Sequence, residues 1–279
     1  MNFIELIKTI ILGIVEGITE WLPISSTGHM LLVDELMQLN VTNDFKEMFL
    51  YVIQLGAILA VVIIFWNKMW PFNFKDKSKP VVVKETFSLW FKVVVACIPG
   101  AVVTLLFDDY VEANFQTPTV IAIALIFYGV LFILIENWNK KRTPKTLELQ
   151  DITYKTAFII GLFQVLSIVP GTSRSGSTII GALTIGVSRV AAAEFTFFLA
   201  VPVMIGMSLI KIAKFVMGGY VMTGAEALIL AVGCVVAFAV SVLVIKFLMS
   251  YIKKKDFKVF GWYRIVLGAI VLLYFLVIK

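Results

Sequence analysis

Six apolar stretches, at about residues 48 to 66, 86 to 107, 118 to 138, 191 to 217, 225 to 250 and 261 to 279, are each long enough to cross a bilayer as a helix. A crossing helix needs about 20 mostly apolar residues to span roughly 30 Å of hydrocarbon, and its backbone must satisfy its own polar groups there. Of the 279 residues, 60% are hydrophobic and 15% charged, with a mean hydropathy of +0.98. That is more apolar surface than one water-facing core can hide. The expected fold is an all-α polytopic membrane protein.

Two further apolar segments, 3 to 33 and 156 to 186, are broken near their middles by Pro, Gly and clusters of Ser and Thr. They are expected to be re-entrant helical hairpins that enter and leave on one face. Loop charges agree, because Lys and Arg concentrate on the cytoplasmic side. The loop after the first span holds Lys68, Lys75, Lys77, Lys79 and Lys84; the next holds Asp108, Asp109 and Glu112; the next holds Lys140, Lys141, Arg142 and Lys145. After an uncharged turn near Gly218 and Gly219, the loop with Lys253, Lys254, Lys255 and Lys258 returns inside. Both termini are then expected outside. The net charge of +6 is explained by this topology and not by a nucleic-acid footprint. Glu16 and Glu20 interrupt the first apolar segment, which has no basic leader, so it reads as mature protein.

Shifting the chain by 148 residues pairs Gly13 with Gly161, Glu16 with Gln164, Thr19 with Ser167, Ser25 with Ser173 and Gly28 with Gly176. One membrane domain of two repeats is expected, about 1 to 138 and about 154 to 279, each a hairpin followed by three spans. Three is odd, so the halves insert with opposite orientation, an inverted-topology repeat whose site lies near the midplane at the broken helices.

The first broken segment places Glu16 and Glu20 four residues apart, on one helical face. Ionisable groups at membrane depth are costly and point to function. Such a pair can hold a divalent cation, orient a histidine or act as a base. His29, the one histidine in the chain, follows Ser25, Ser26, Thr27 and Gly28. Ser26 lies three residues before it, which permits hydroxyl and imidazole to meet on a helical turn. The second broken segment reads Pro170-Gly171-Thr172-Ser173-Arg174-Ser175-Gly176-Ser177-Thr178. Its glycines allow close backbone approach, its hydroxyls donate, a helix starting here aims N–H groups at an anion, and Arg174 adds a planar fork suited to phosphate. The bland readings are solvated acids in a wet hairpin mouth and an arginine paired with an acid of the other hairpin.

Elsewhere the residues read as structural. Arg189 and Glu194 are expected to pair with each other or cap the next span. Trp21, Trp66, Trp70, Trp138 and Trp262 lie mostly near segment ends, where interfacial anchoring explains them. Cys97 and Cys234 sit in apolar segments without metal-ligand neighbours and read as small core residues. No organic cofactor is implied.

Glu16-x-x-x-Glu20, the run Leu22-Pro23-Ile24-Ser25-Ser26-Thr27-Gly28-His29, the run Pro170-Gly171-Thr172-Ser173-Arg174-Ser175, and the stretch from Ser188-Arg189 through Glu194-Phe195 to Pro202 resemble the bacterial undecaprenyl-pyrophosphate phosphatase family associated with bacitracin resistance. The resemblance runs through nearly the whole chain. It implies hydrolysis of a long polyprenyl pyrophosphate to the monophosphate and inorganic phosphate, dependence on Mg²⁺ or Ca²⁺, a bacterial plasma-membrane location and a site open to the extracytoplasmic face. Under it, Ser26 is the first candidate nucleophile with His29 as its base; attack by His29 itself or by water stays open. Glu16 and Glu20 would hold the cation or orient His29. Arg174 would bind the pyrophosphate together with Ser25, Thr27, Gly28, Gly171, Thr172, Ser173, Ser175, Gly176 and Thr178.

The alternative is a transporter or flippase of polyprenyl phosphate, because inverted repeats with paired hairpins also build alternating-access carriers. Such a carrier would not need Ser26, His29 and the carboxylates assembled. Phosphatidic acid phosphatases of type 2 need two histidines, which one histidine excludes. A structural scaffold does not account for ionisable residues on both hairpins. Small residues in the last three spans permit contacts within one chain or between two copies in a homodimer.

Overall fold

The computed structural model describes residues 3–74 and 80–275, with the side chains of 34, 35, 108 and 112 excepted. The loop residues Lys75, Lys77 and Lys79 and the last four positions of the expected final span lie outside the described residues. Eleven helices follow one another: α1 (Phe3–Thr19), α2 (Ser26–Leu36), α3 (Asn43–Ile64), α4 (Trp66–Met69), α5 (Lys84–Phe115), α6 (Pro118–Asn139), α7 (Tyr154–Val165), α8 (Arg174–Thr184), α9 (Arg189–Met217), α10 (Gly224–Ile252) and α11 (Lys258–Leu273), and no strand longer than an isolated bridge occurs among the described residues.

Helix starts are written locally. Thr42, Thr117, Thr153 and Ser188 each accept a hydrogen bond from the N–H three residues on, and Pro118 occupies the first position of α6. Thr223 and Glu226 form a reciprocal capping box on α10.

Among the described residues, five helices are long and apolar enough to cross a membrane: α3, α5 over Lys84–Phe107, α6, α9 and α10. Of the sixth expected span, 261 to 279, α11 (Lys258–Leu273) takes in the part up to Leu273. The two broken segments instead form short helices, 17 and 11 residues in α1 and α2, 12 and 11 in α7 and α8. At 1.5 Å per residue, each is shorter than roughly 30 Å of hydrocarbon.

The packing crosses between the halves. α1 lies on α10 and α7 on α5, while α3 meets α9 and α6 meets α11. Small residues let these backbones touch, as they do in membrane helix pairs generally. A Cβ at Gly129 would fall 2.7 Å from the Gly261 carbonyl, and one at Gly261 2.7 Å from that of Gly129. The first part of α9, from Ala191 to Val201, is buried along its whole length; α8 packs on it, and Trp21 of the first broken segment meets its Phe197.

Two structural expectations are corrected here. Arg189 does not pair with Glu194: it donates to the fully buried Glu136 of α6, and Glu194 takes Lys68 at 2.6 Å. Residues five apart on a helix point in different directions, so each found a partner on a neighbouring helix. Trp21 is no interfacial anchor. It is fully buried, edge-on to Phe197 of α9 with ring centroids 5.2 Å apart.

Candidate active site

The breaks between α1 and α2 and between α7 and α8 bring two turns of the same construction together. Ser25 caps α2 and Ser173 caps α8, with φ of 74° and 70°, and they are the two non-glycine residues with positive φ among the described residues. Such backbone is strained by about 1 to 3 kcal/mol and gathers at functional sites. Each serine Oγ accepts from the glycine N–H three residues on, Gly28 at 3.4 Å and Gly176 at 3.1 Å.

The first residue of each helix then reaches the same carboxylate. Ser26 Oγ donates to Glu20 Oε2 at 2.9 Å, and Arg174 Nη2 donates to Glu20 Oε1 at 3.0 Å. The other arm of Arg174 donates to the Thr196 carbonyl of α9 at 3.2 Å, which fixes the fork. Ser175 Oγ bonds the Glu20 carbonyl at 3.3 Å, and Thr178 meets Thr196 Oγ1 at 2.8 Å.

A cavity of about 440 Å³ opens beside this junction. At its polar end are Glu20, Ser26, Thr27, Gly171, Ser173 and Arg174; at its apolar end are Ala101 and Leu105 of α5 and Val203, Met207 and Ile210 of α9. Because α2 and α8 start here, the first-turn N–H groups that the Ser25 and Ser173 hydroxyls do not take up offer donors suited to an anion. The helices that flank the apolar end each contain an internal proline, Pro99 in α5 and Pro202 in α9.

Of the residues singled out from the sequence, these six therefore meet the cavity. Ser25, Gly28, Thr172, Ser175, Gly176 and Thr178 instead build the turns behind it. His29 does not bond Ser26. Its Nδ1 is 2.7 Å from the Ser25 carbonyl and its Nε2 is 2.7 Å from the Tyr263 hydroxyl.

Glu16 lies one helical turn below Glu20, is 1% exposed, and its Oε1 finds no hydrogen-bond partner. No group of three or more His, Cys, Asp and Glu side chains placed for a metal exists among the described residues. Two carboxylates with one unpartnered buried oxygen do fit a hard divalent cation whose other ligands come from phosphate oxygens and water, the way Mg²⁺ is usually held.

Arg264, on α11, was missed by the sequence reading. It is fully buried, and it donates to the carbonyls of Pro23 at 3.3 Å, Gly171 at 2.9 Å and Thr172 at 3.0 Å, so one guanidinium holds both turns. A further bond runs to the Leu125 carbonyl of α6 at 3.4 Å. A lone arginine inside the last apolar run was the available signal. Gly171, at φ +88° and with its Cβ position 2.6 Å from the Ile121 carbonyl, lets this turn sit against α6.

Residues 9–270 match the family model described as Bacitracin resistance protein BacA. The chain is 71% identical over 273 residues to an undecaprenyl-diphosphatase of Enterococcus faecalis, covering 98% of each chain. It is 61% identical over 279 residues to one of Lachnoclostridium phytofermentans, covering 100% of both, and 60% identical over 277 residues to one of Desulfitobacterium hafniense, covering 99% of this chain and 98% of the other.

Proposed function

The chain belongs to the bacitracin resistance protein BacA family, and from that premise we infer that it is a phosphatase that hydrolyses undecaprenyl pyrophosphate to undecaprenyl phosphate and inorganic phosphate. It thereby recycles the lipid carrier of cell-wall synthesis and confers resistance to bacitracin. The observation that supports this most directly is the meeting of Ser26 and Arg174, each the first residue of a broken helix, on the two oxygens of Glu20.

Phosphoryl transfer needs positioning and charge stabilisation more than covalent machinery. The pyrophosphate occupies the polar end of the cavity, on Arg174 and the first-turn N–H groups of α2 and α8, and the prenyl tail runs past Leu105, Met207 and Ile210 into the bilayer. Ser26 Oγ attacks the terminal phosphorus while its proton passes to Glu20. The bond to the bridging oxygen breaks, and undecaprenyl phosphate leaves with that oxygen. A water then attacks the phosphoserine, giving one proton to Glu20 as Glu20 returns the first to the Ser26 oxygen; phosphate is released, and Glu20 passes the remaining proton to solvent. Glu16 and Glu20 would hold Mg²⁺ or Ca²⁺, which when bound supplies neutralisation of the pyrophosphate charge.

The site reads best within one membrane domain of two inverted repeats, about 1 to 138 and about 154 to 279, each a re-entrant hairpin and three spans. The crossed packing of α1 on α10 and α7 on α5, and the matched strain at Ser25 and Ser173, support that reading. The lysine-rich loops at 140 to 145 and 253 to 258 support an orientation with both termini and the mouth of the cavity outside the plasma membrane.

The test is phosphate release from a polyprenyl pyrophosphate by detergent-purified protein with Mg²⁺ or Ca²⁺, wild type against Ser26→Ala and Arg174→Ala. Turnover by wild type and loss in both folded variants is expected. Folded wild type that releases no phosphate overturns the reading in favour of lipid transport.

A further inference from the structure

His29 is held at both ring nitrogens. A carbonyl oxygen only accepts, so the 2.7 Å contact to Ser25 puts a proton on Nδ1. In the neutral ring Nε2 is then a lone pair, and the Tyr263 hydroxyl 2.7 Å away donates to it, with the two rings parallel to within 1°. Neither nitrogen is left for Ser26, whose hydroxyl goes to Glu20 at 2.9 Å.

The second hairpin repeats the arrangement without a histidine. The fourth residue after the Ser173 cap is Ser177, and its Oγ donates to the Ser173 carbonyl at 3.1 Å, as His29 Nδ1 does to Ser25. A serine hydroxyl is no base at neutral pH, so what the two positions share is the hold on the cap carbonyl of a strained turn. The first hairpin depends on that hold more. Its backbone bond from His29 N to the Ser25 carbonyl is 3.4 Å, against 3.0 Å from Ser177 N to the Ser173 carbonyl.

We propose that Tyr263 is a positioning residue for the phosphatase reaction: by donating to His29 Nε2 it fixes the Nδ1–H tautomer, which holds the Ser25 carbonyl and so aims Ser26 at Glu20. His29 acts as a strut and not as the proton acceptor of Ser26. Tyr263 precedes Arg264, so adjacent residues of α11 support the first break, through the Pro23 carbonyl and through the His29 imidazole.

The proposal rests on the phosphatase reading, and the test separates the two. The chain has one histidine, so nitrogen-15 spectra of histidine-labelled protein in detergent report this ring alone. Wild type is expected to show the Nδ1–H tautomer, and Tyr263→Phe to move it toward Nε2–H. In the phosphatase assay, Tyr263→Phe is expected to lower kcat by about tenfold, with KM nearly unchanged. His29→Asn, whose amide offers a donor near the place of Nδ1, is expected to retain at least about tenfold more activity than His29→Ala. An Nε2–H ring in wild type, an unchanged kcat in Tyr263→Phe, or His29→Asn as inactive as His29→Ala would each overturn the proposal. A failure of the phosphatase reading looks different: wild type itself is silent in the assay.

Discussion

Arg174, the first residue of α8, donates to the Glu20 carboxylate at 3.0 Å across 154 residues of chain. Both side chains are nearly enclosed, 12% and 7% exposed. Removing one partner of such a pair leaves a buried charge uncompensated and costs about 3 to 5 kcal/mol. The same contact places the cation beside Ser26, so stability and chemistry are joined at one bond.

Arg174→Ala should lose both stability and activity, and Arg174→Lys should recover part of the stability while activity stays down by about a hundredfold or more. A lysine replaces the charge but not the fork that reaches Glu20 and the Thr196 carbonyl together. Thermal unfolding in detergent and phosphate release, measured on the same preparations, separate the two effects.

Glu20→Gln keeps one acceptor oxygen, which can face Arg174, turns an amide NH₂ donor toward the Ser26 hydroxyl, and cannot take a proton. A fall in kcat of about 10² to 10⁴ is expected, with KM less affected. Wild-type kcat in Glu20→Gln would remove the carboxylate from the proton path.

Glu16 and the cation make a separate prediction. Chelation should stop turnover, and added Mg²⁺ or Ca²⁺ should restore it. The cation should also raise the unfolding temperature of wild type, because a ligand of the folded state stabilises it. Glu16→Gln should abolish that rise and raise the half-saturating metal concentration by about tenfold or more.

Arg264→Met replaces a buried guanidinium by a chain of similar length and leaves the carbonyls of Pro23, Gly171 and Thr172 without this donor. Such orphaned groups cost about 1 to 3 kcal/mol each. A lowered unfolding temperature is expected together with reduced kcat, since the two turns lose the group that spans them.

Gly206 of α9 lines the cavity, and a Cβ there would meet nothing within 4 Å. Gly206→Phe should therefore fold while filling the tail region. KM for a long-chain pyrophosphate is expected to rise by about tenfold or more, with a smaller change for a short prenyl pyrophosphate. Equal effects on both would move the tail elsewhere.

Much of the site was legible before any coordinates. Pro23, Ser25 and Gly28, and Pro170, Gly171 and Ser173, marked the two breaks because proline and glycine interrupt helices wherever they fall, and the 148-residue offset matched Ser25 to Ser173 because both turns need the same strained cap. The pairing of Arg174 with an acid of the other hairpin was also foreseeable as a charge in need of a counter-charge. Arg264 and Tyr263 went unread because a single polar residue in an apolar run gives no local sign of what it touches. The pairing of Ser26 with His29, expected from a spacing of three, gave way to Glu20, because the strained turn at Ser25 spends the imidazole on its own carbonyl.

The sequence by itself determined that the chain is helical and lives in a bilayer, where its helices begin, where two of them break, and which chemical groups stand at the breaks. These follow from hydropathy, capping and backbone preference, which act over a few residues. Only the tertiary structure decided which groups meet. Glu20 with Arg174, His29 with Tyr263 at a separation of 234 residues, and Pro23 with Arg264 at 241 are set by how α9 and α11 pack against the two breaks. No local pattern encodes those distances, because a buried polar group is satisfied by whichever donor or acceptor the packing brings within about 3 Å.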